Sequence, residues 1–133
     1  MKPHTIGRQM LSLLALAGIL LLVGCDHFSH YDYRIKNDTG ETLRVFVAKH
    51  YRKGIDSFVV APAVDTVICV GEVRAKAYDF EDEEFLTTIS SLDIYKNDTI
   101  KAHTNLLKTD RWEYTKLTNE LGNYTLTITD ADF

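Results

Sequence analysis

The chain has little of what would hold a small protein together from outside its core. Its 133 residues include two cysteines, two prolines and seven glycines. Two cysteines cannot build a disulfide scaffold, and so few Gly and Pro residues exclude a collagenous or a Pro/Gly low-complexity chain. No heptad repeat supports a coiled coil. Cationic charge is also short, with 15 Lys+Arg against 19 Asp+Glu, and two of the cations, Lys2 and Arg8, fall in the first 24 residues, which hold no acid. From Cys25 onward 13 basic side chains face 19 acidic ones, a net charge of −6. A general nucleic-acid binder needs a cationic surplus to displace counterions from phosphates, so that class of partner is excluded.

One uncharged hydrophobic run is present, from Met10 to Val23, and Lys2, His4 and Arg8 precede it. A basic n-region followed by an apolar h-region is the pattern of an export signal. About 14 residues cover roughly 21 Å as a helix, short of a ~30 Å hydrocarbon core, so a leader is expected rather than a permanent span. The run ends at Leu22-Val23-Gly24-Cys25, which resembles the lipobox cut by signal peptidase II in bacterial lipoproteins. There, compact residues let the peptidase approach the backbone while the thiol accepts a diacylglyceryl group. The resemblance implies that residues 1–24 are a cleaved signal peptide, that Cys25 is the lipidated N-terminus and that residues 25–30 form a tether. Two or three acyl chains, at ~0.8 kcal/mol per buried CH₂, anchor stably where one chain is marginal. Asp26 matches the inner-membrane retention rule of enteric bacteria, which other phyla do not follow, so the leaflet stays open and an outer-membrane address is the expectation.

From Tyr31 the chain alternates with period two. Tyr31, Tyr33 and Ile35 alternate with Asp32, Arg34 and Lys36, and Asn37-Asp38-Thr39-Gly40 supplies residues that tolerate positive φ. Leu43, Val45 and Val47 form the next inward face, so these two segments are expected to make a hairpin. A basic tip, Lys49-His50-Tyr51-Arg52-Lys53-Gly54, leads into a strand over residues 57–61, and Pro62 marks a break. Val67-Ile68-Cys69-Val70 is apolar in both phases, which predicts a central strand covered on both faces. Beyond Gly71, residues 72–80 fit a strand or a short helix, and Glu81-Asp82-Glu83-Glu84 separates the two halves. Leu92 to Lys96, a turn at Asn97-Asp98 and Thr99 to Lys101 read as a second hairpin. Trp112 and Tyr114 alternate with Arg111, Glu113 and Thr115. Finally Tyr124, Leu126 and Ile128 oppose Thr125, Thr127 and Thr129, Thr being suited to a pleated solvent face. Seven or eight strands in residues 31–133 predict one all-β domain, a small antiparallel β-sandwich of immunoglobulin-like size, with a small β-barrel as the alternative.

Chemistry-bearing residues are scattered. With Cys25 acylated, Cys69 is the only remaining thiol and reads as a buried small hydrophobe. His27 and His30, with Asp26 and Asp32 nearby, are able to wrap a metal ion, but in a tether they read as a solvated spacer, and no metal is expected. The acidic run 81–84 lacks the alternating ligands and central Gly of an EF-hand loop and reads as a solvated turn. The tip at residues 49–53 gathers cationic and titratable groups around Tyr51, a chemistry suited to anionic lipid or lipopolysaccharide phosphate, though a solvated hairpin end is the simpler reading. No GxSxG, SxxK, HExxH, paired CxxC or Gly-rich phosphate loop occurs, so neither an enzyme nor a cofactor is expected. Tyr51, Tyr78, Tyr95, Trp112 and Tyr114 would serve a glycan binder as stacking platforms if two of the rings lay exposed and coplanar.

Three segments, YDYRIKNDTGETLRVFV, LDIYKNDTI and NYTLTITDADF, together with the lipobox resemble small lipoproteins of Bacteroidota, along essentially the whole chain. Only the lipobox is a specific motif. The resemblance implies a cell-envelope address and a β-sandwich, and it brings no catalytic residue. Asp65-Thr66-Val67 and Asp98-Thr99-Ile100 resemble the O-glycosylation sequon of exported proteins in that phylum, which implies Thr66 and Thr99 as acceptors. The functional expectation is a lipid-anchored, non-enzymatic interaction or accessory module, its partner an envelope protein, with a glycan- or small-ligand-binding lipoprotein as the alternative.

Overall fold

In the computed structural model, which describes residues 28–74 and 88–133, the period-two segments form eight strands. They are β1 (Ser29–Asn37), β2 (Leu43–Lys49), β3 (Arg52–Val60), β4 (Asp65–Val73), β5 (Ile89–Lys96), β6 (Ile100–Lys101), β7 (Trp112–Lys116) and β8 (Leu121–Ile128). Single 3-10 turns lie at Thr109–Arg111, before β7, and at Asp130–Asp132, after β8. The strands build two four-stranded sheets, ordered β4-β1-β8-β7 and β3-β2-β5-β6. The sheets share no strand pairing, so the architecture is a sandwich and not a barrel. Every pair is antiparallel except β1 with β8, which run parallel at the centre of the first sheet.

Alternation decides which side chains lie between the sheets. Tyr31, Tyr33, Ile35, Trp112, Tyr124, Leu126 and Ile128 point inward from the first sheet, and Leu43, Val45, Val47, Leu92 and Ile94 from the second. Each fully buried aliphatic side chain contributes about 1.5–3 kcal/mol, the main driving force in a domain with no internal disulfide. The first sheet's half of the core is aromatic. Tyr33 stacks on Tyr124 at 5.7 Å and meets Trp112 edge-on at 6.1 Å. Trp112 donates its indole N–H to the Leu106 carbonyl at 2.9 Å. Burial pushes the Tyr33 hydroxyl up to about 12 even though Thr88 hydrogen-bonds to it.

Two glycines make room for these rings. A Cβ at Gly71 would lie 2.9 Å from Thr88 Oγ1 and 3.1 Å from the Tyr33 ring, and one at Gly122 would lie 2.7 Å from the Tyr114 ring. Gly71 lies within β4, opposite Tyr31.

The expected hairpin of the first two strands does not form. Both edges of β1 are taken, by β4 and β8, and the chain crosses to the other sheet at Asn37. The corner does not depend on positive φ, which among the described residues occurs at Gly54, Ala63, Asn97 and Asp98. It is held by the fully buried Asn37 side chain. Asn37 Nδ2 donates to the carbonyls of Glu41 (2.8 Å) and Val60 (2.9 Å). Its Oδ1 accepts from the Thr39 N–H (2.9 Å) and hydroxyl (2.7 Å). One side chain thus ties the end of β1 to the end of β3 in the opposite sheet.

The expected central strand is also corrected. β4 is an edge strand, and Val70 is half exposed. The run is apolar in both phases because a bulge at Ile68 breaks the register between Tyr33–Cys69 and Arg34–Val67, so the consecutive residues Ile68 and Cys69 both turn inward. The β5–β6 hairpin forms as expected, with Asn97 and Asp98 both at positive φ. Val73 ends β4, and most of the segment read as strand or helix, with the acidic run, lies outside the described residues.

Candidate functional site

The outward faces of the two sheets differ in chemistry. The first presents Asp32, Arg34 and Lys36 from β1, Asn123, Thr125 and Thr127 from β8, and Glu113 and Thr115 from β7, with Val67 and Val70 as its apolar members. Arg34 bridges Asp65 at 2.9 Å. The second sheet carries rows across its strands in which Val59, Arg44, Tyr95 and Lys101 lie level, then Ser57, Phe46 and Asp93, then Ile55, Ala48 and Ser91. Phe46 and Tyr95 meet edge-on, 5.8 Å apart at 86°. Ile55 and Val59 on the edge strand β3 are 67% and 64% exposed, which leaves branched aliphatic side chains in water beside the rings.

These rows enclose an open groove of about 610 Å³ lined by Arg44, Phe46, Ile55, Asp93, Tyr95 and Asp98. A smaller depression of about 300 Å³ continues it past Arg44 to Val59 and Asn97. Arg44 reaches across to the β5–β6 turn, where its Nε and Nη2 both donate to the Asp98 carboxylate. Lys101 holds Asp93 at 2.6 Å, and that hydrogen bond raises the Lys101 ammonium. The groove therefore pairs an aromatic and aliphatic floor with charged rims of both signs. Such a surface buries apolar area while its rim sets orientation.

Sequence reading did not select Arg44, Phe46, Ile55, Val59 or Asp98 as a site. A signal for three of them was present, since Phe46, Ile55 and Val59 are apolar residues in the polar phase of their strands. Of the expected platforms, Tyr95 lies in this groove, but Trp112 is buried and Tyr114 packs 5.2 Å from Tyr124 in the core. Tyr51 is exposed at the β2–β3 tip with its hydroxyl toward Cys69 and no second ring beside it among the described residues, and Tyr78 lies outside the described residues. No two exposed coplanar rings come together among the described residues.

The basic tip is less cationic than its sequence suggests. Lys49 pairs with Asp56 at 2.7 Å, which raises the ammonium and lowers the carboxyl, and Arg52 lies 3.7 Å from the same carboxylate. Cys69 is buried as expected. Burial pushes its thiol up, against the Lys49 charge and the Tyr51 hydroxyl, both brought from the other sheet. In the envisaged metal set, His30 lies 3.6 Å from Glu72 and Asp32 lies 3.8 Å from Arg34, while Asp26 and His27 are outside the described residues. No cluster of three metal-ligating side chains occurs among the described residues. Thr66 is half-buried within β4, and Thr99 is exposed in the β5–β6 turn. Leu22, Val23, Gly24 and Cys25 also lie outside the described residues, among which no helix is long and apolar enough to cross a membrane.

Fold and groove together define the class, a two-sheet β-sandwich with one open, amphipathic outer face. No family model, curated protein or solved structure matches the chain.

Proposed function

We propose that this protein is a lipid-anchored, non-enzymatic interaction module of the cell envelope that binds a protein partner through the outer face of its second sheet. The carrying observation is the asymmetry between the two faces. One is polar and ion-paired apart from Val67 and Val70 at its edge strand, and the other leaves Phe46, Tyr95, Ile55 and Val59 around a 610 Å³ groove. The edge-on rings offer no flat paired platform for a sugar, which favours a protein partner over a glycan. The lipobox at residues 22–25 supplies the address, and attachment through Cys25 would confine the domain to a membrane surface.

The test is photocrosslinking in the native envelope, with p-benzoylphenylalanine placed at Phe46, at Ile55 and, for comparison, at Thr125 on the polar face. Positions 46 and 55 should give one defined protein adduct and position 125 none. No adduct from the groove, or the same adduct from all three positions, would contradict the assignment. Hydrolysis by the purified protein that disappears on a single change in the groove would overturn the non-enzymatic reading.

A further inference from the structure

We propose that the domain is seated on the bilayer by one defined end, with Phe28 and Leu117 at headgroup level and the Arg44–Asp98 end of the groove held at the far end. This rests on the reading of Cys25 as the lipid attachment site. Three peptide steps separate Cys25 from Phe28, and a fully extended chain covers at most about 11 Å in three steps. The start of β1 therefore cannot leave the membrane surface.

Strand register fixes which other parts lie level with it. Ser29 pairs with Val73 at the end of β4, His30 with Leu121 at the start of β8, and Lys116 at the end of β7 with Gly122. All four strands of the first sheet thus end in one row beside the anchor. The β7–β8 turn is tied to β1, since the His30 N–H donates to the Glu120 carbonyl at 2.8 Å and Ser29 Oγ donates to the Asn119 carbonyl at 3.5 Å.

The chemistry of this row suits a lipid headgroup layer. Phe28 is 44% exposed with the Arg74 guanidinium 6.0 Å from its ring centroid, and Leu117 is 51% exposed and follows the exposed Lys116. The row thus sets Phe28 against a cation at the start of β1 and Leu117 next in sequence to Lys116 after β7, with the acids Glu72 and Glu120 between them and His30 3.6 Å from Glu72. A cation beside an apolar group places the apolar group at the acyl boundary and the charge among phosphates.

The opposite end is the Asn37 corner. Nine residues of β1 at about 3.3 Å each allow it to stand up to roughly 26–30 Å further from the surface. Val60 is bonded to that corner, and Arg44, Tyr95 and Asp98 lie near it, so this end of the groove faces away from lipid, while Ile55, opposite Ala48, extends it back toward the β2–β3 tip. One consequence concerns the exposed edge of β3. Antiparallel pairing of that edge between two copies would invert one of them and lift its anchor by about the length of a strand. Two copies in one leaflet cannot pair in that way.

The test uses the full lipidated protein in vesicles of phosphatidylethanolamine and phosphatidylglycerol. A nitrobenzoxadiazole probe is attached at Leu117→Cys or at Asp98→Cys, each combined with Cys69→Ala, and lipids spin-labelled in the headgroup act as quenchers. The expected result is loss of fluorescence at position 117 and none at 98. Equal quenching at both, or quenching at 98 alone, in protein whose intact mass carries the acyl chains would overturn the seat while leaving the anchor standing. An intact mass without acyl chains, with Cys25 alkylatable, would overturn the anchor and the seat together.

Discussion

The Asn37 corner offers the sharpest test of how this sandwich is held. Replacing Asn37 by Ala removes four hydrogen bonds from a fully buried site. Their loss is unequal. The Glu41 carbonyl keeps the Thr39 hydroxyl at 3.0 Å, whereas the Val60 carbonyl and the Thr39 N–H lose the partners they have there. At about 1–3 kcal/mol for each of the two orphaned buried groups the expected cost is roughly 2–6 kcal/mol, a large share of the 5–15 kcal/mol typical of a domain. With a urea dependence of about 1–1.5 kcal/mol per molar, the unfolding midpoint falls by roughly 1.3–6 M. Trp112 is the only tryptophan and is buried, so its fluorescence reports the transition.

Asn37→Asp sharpens the reasoning because it keeps the shape and the acceptor toward Thr39 while turning the donor into a second acceptor that faces two carbonyls. At neutral pH it should cost at least as much as Ala. The buried new carboxyl has its folded pKa raised, so its penalty shrinks as pH falls through that value and the protonated oxygen donates to Val60 or Glu41. A midpoint shift below about 0.5 M for Asn37→Ala, or no acid rescue of Asn37→Asp relative to wild type, would refute the corner as the tie between the sheets.

Asp132 should give the opposite pH signature. Burial raises its carboxyl, but the Thr129 N–H, the Thr104 hydroxyl and the Arg111 guanidinium at 2.8 Å outweigh burial and hold it below the ordinary carboxylate range. Its contribution is therefore present above the unfolded carboxyl pKa and is lost as pH falls through the folded one. Asp132→Asn should cost about 1.5–3 kcal/mol at pH 7 in urea titrations, with the gap to wild type closing below about pH 4. Gly71→Ala should destabilise by about 1–3 kcal/mol through its clash with Thr88 and Tyr33, and adding Thr88→Ala should recover part of that loss, a non-additivity read from a double-mutant cycle. Cys69 should resist alkylation in native protein at pH 8 and react at the rate of unfolding in urea. Fast native labelling would contradict its burial and raised thiol.

The sequence by itself determined what each residue's immediate neighbours can dictate. Period two settled the inward faces of the first two strands and the last, because successive side chains in a strand must point to opposite sides. Asn97 and Asp98 placed the β5–β6 turn, since both tolerate the positive φ it requires. Strand partnership was not legible, because alternation specifies a face and never a neighbour. The parallel β1–β8 pair, the edge position of β4 and the crossing at Asn37 depend on hydrogen bonds between distant residues, and a bulge at Ile68 made an edge strand look central. The groove arose in the same way. Arg44 meets Asp98 across 54 residues and Phe46 meets Tyr95 from another strand, so no local spacing marked them as a site. Only packing two sheets face to face decided which outward side chains would share one surface.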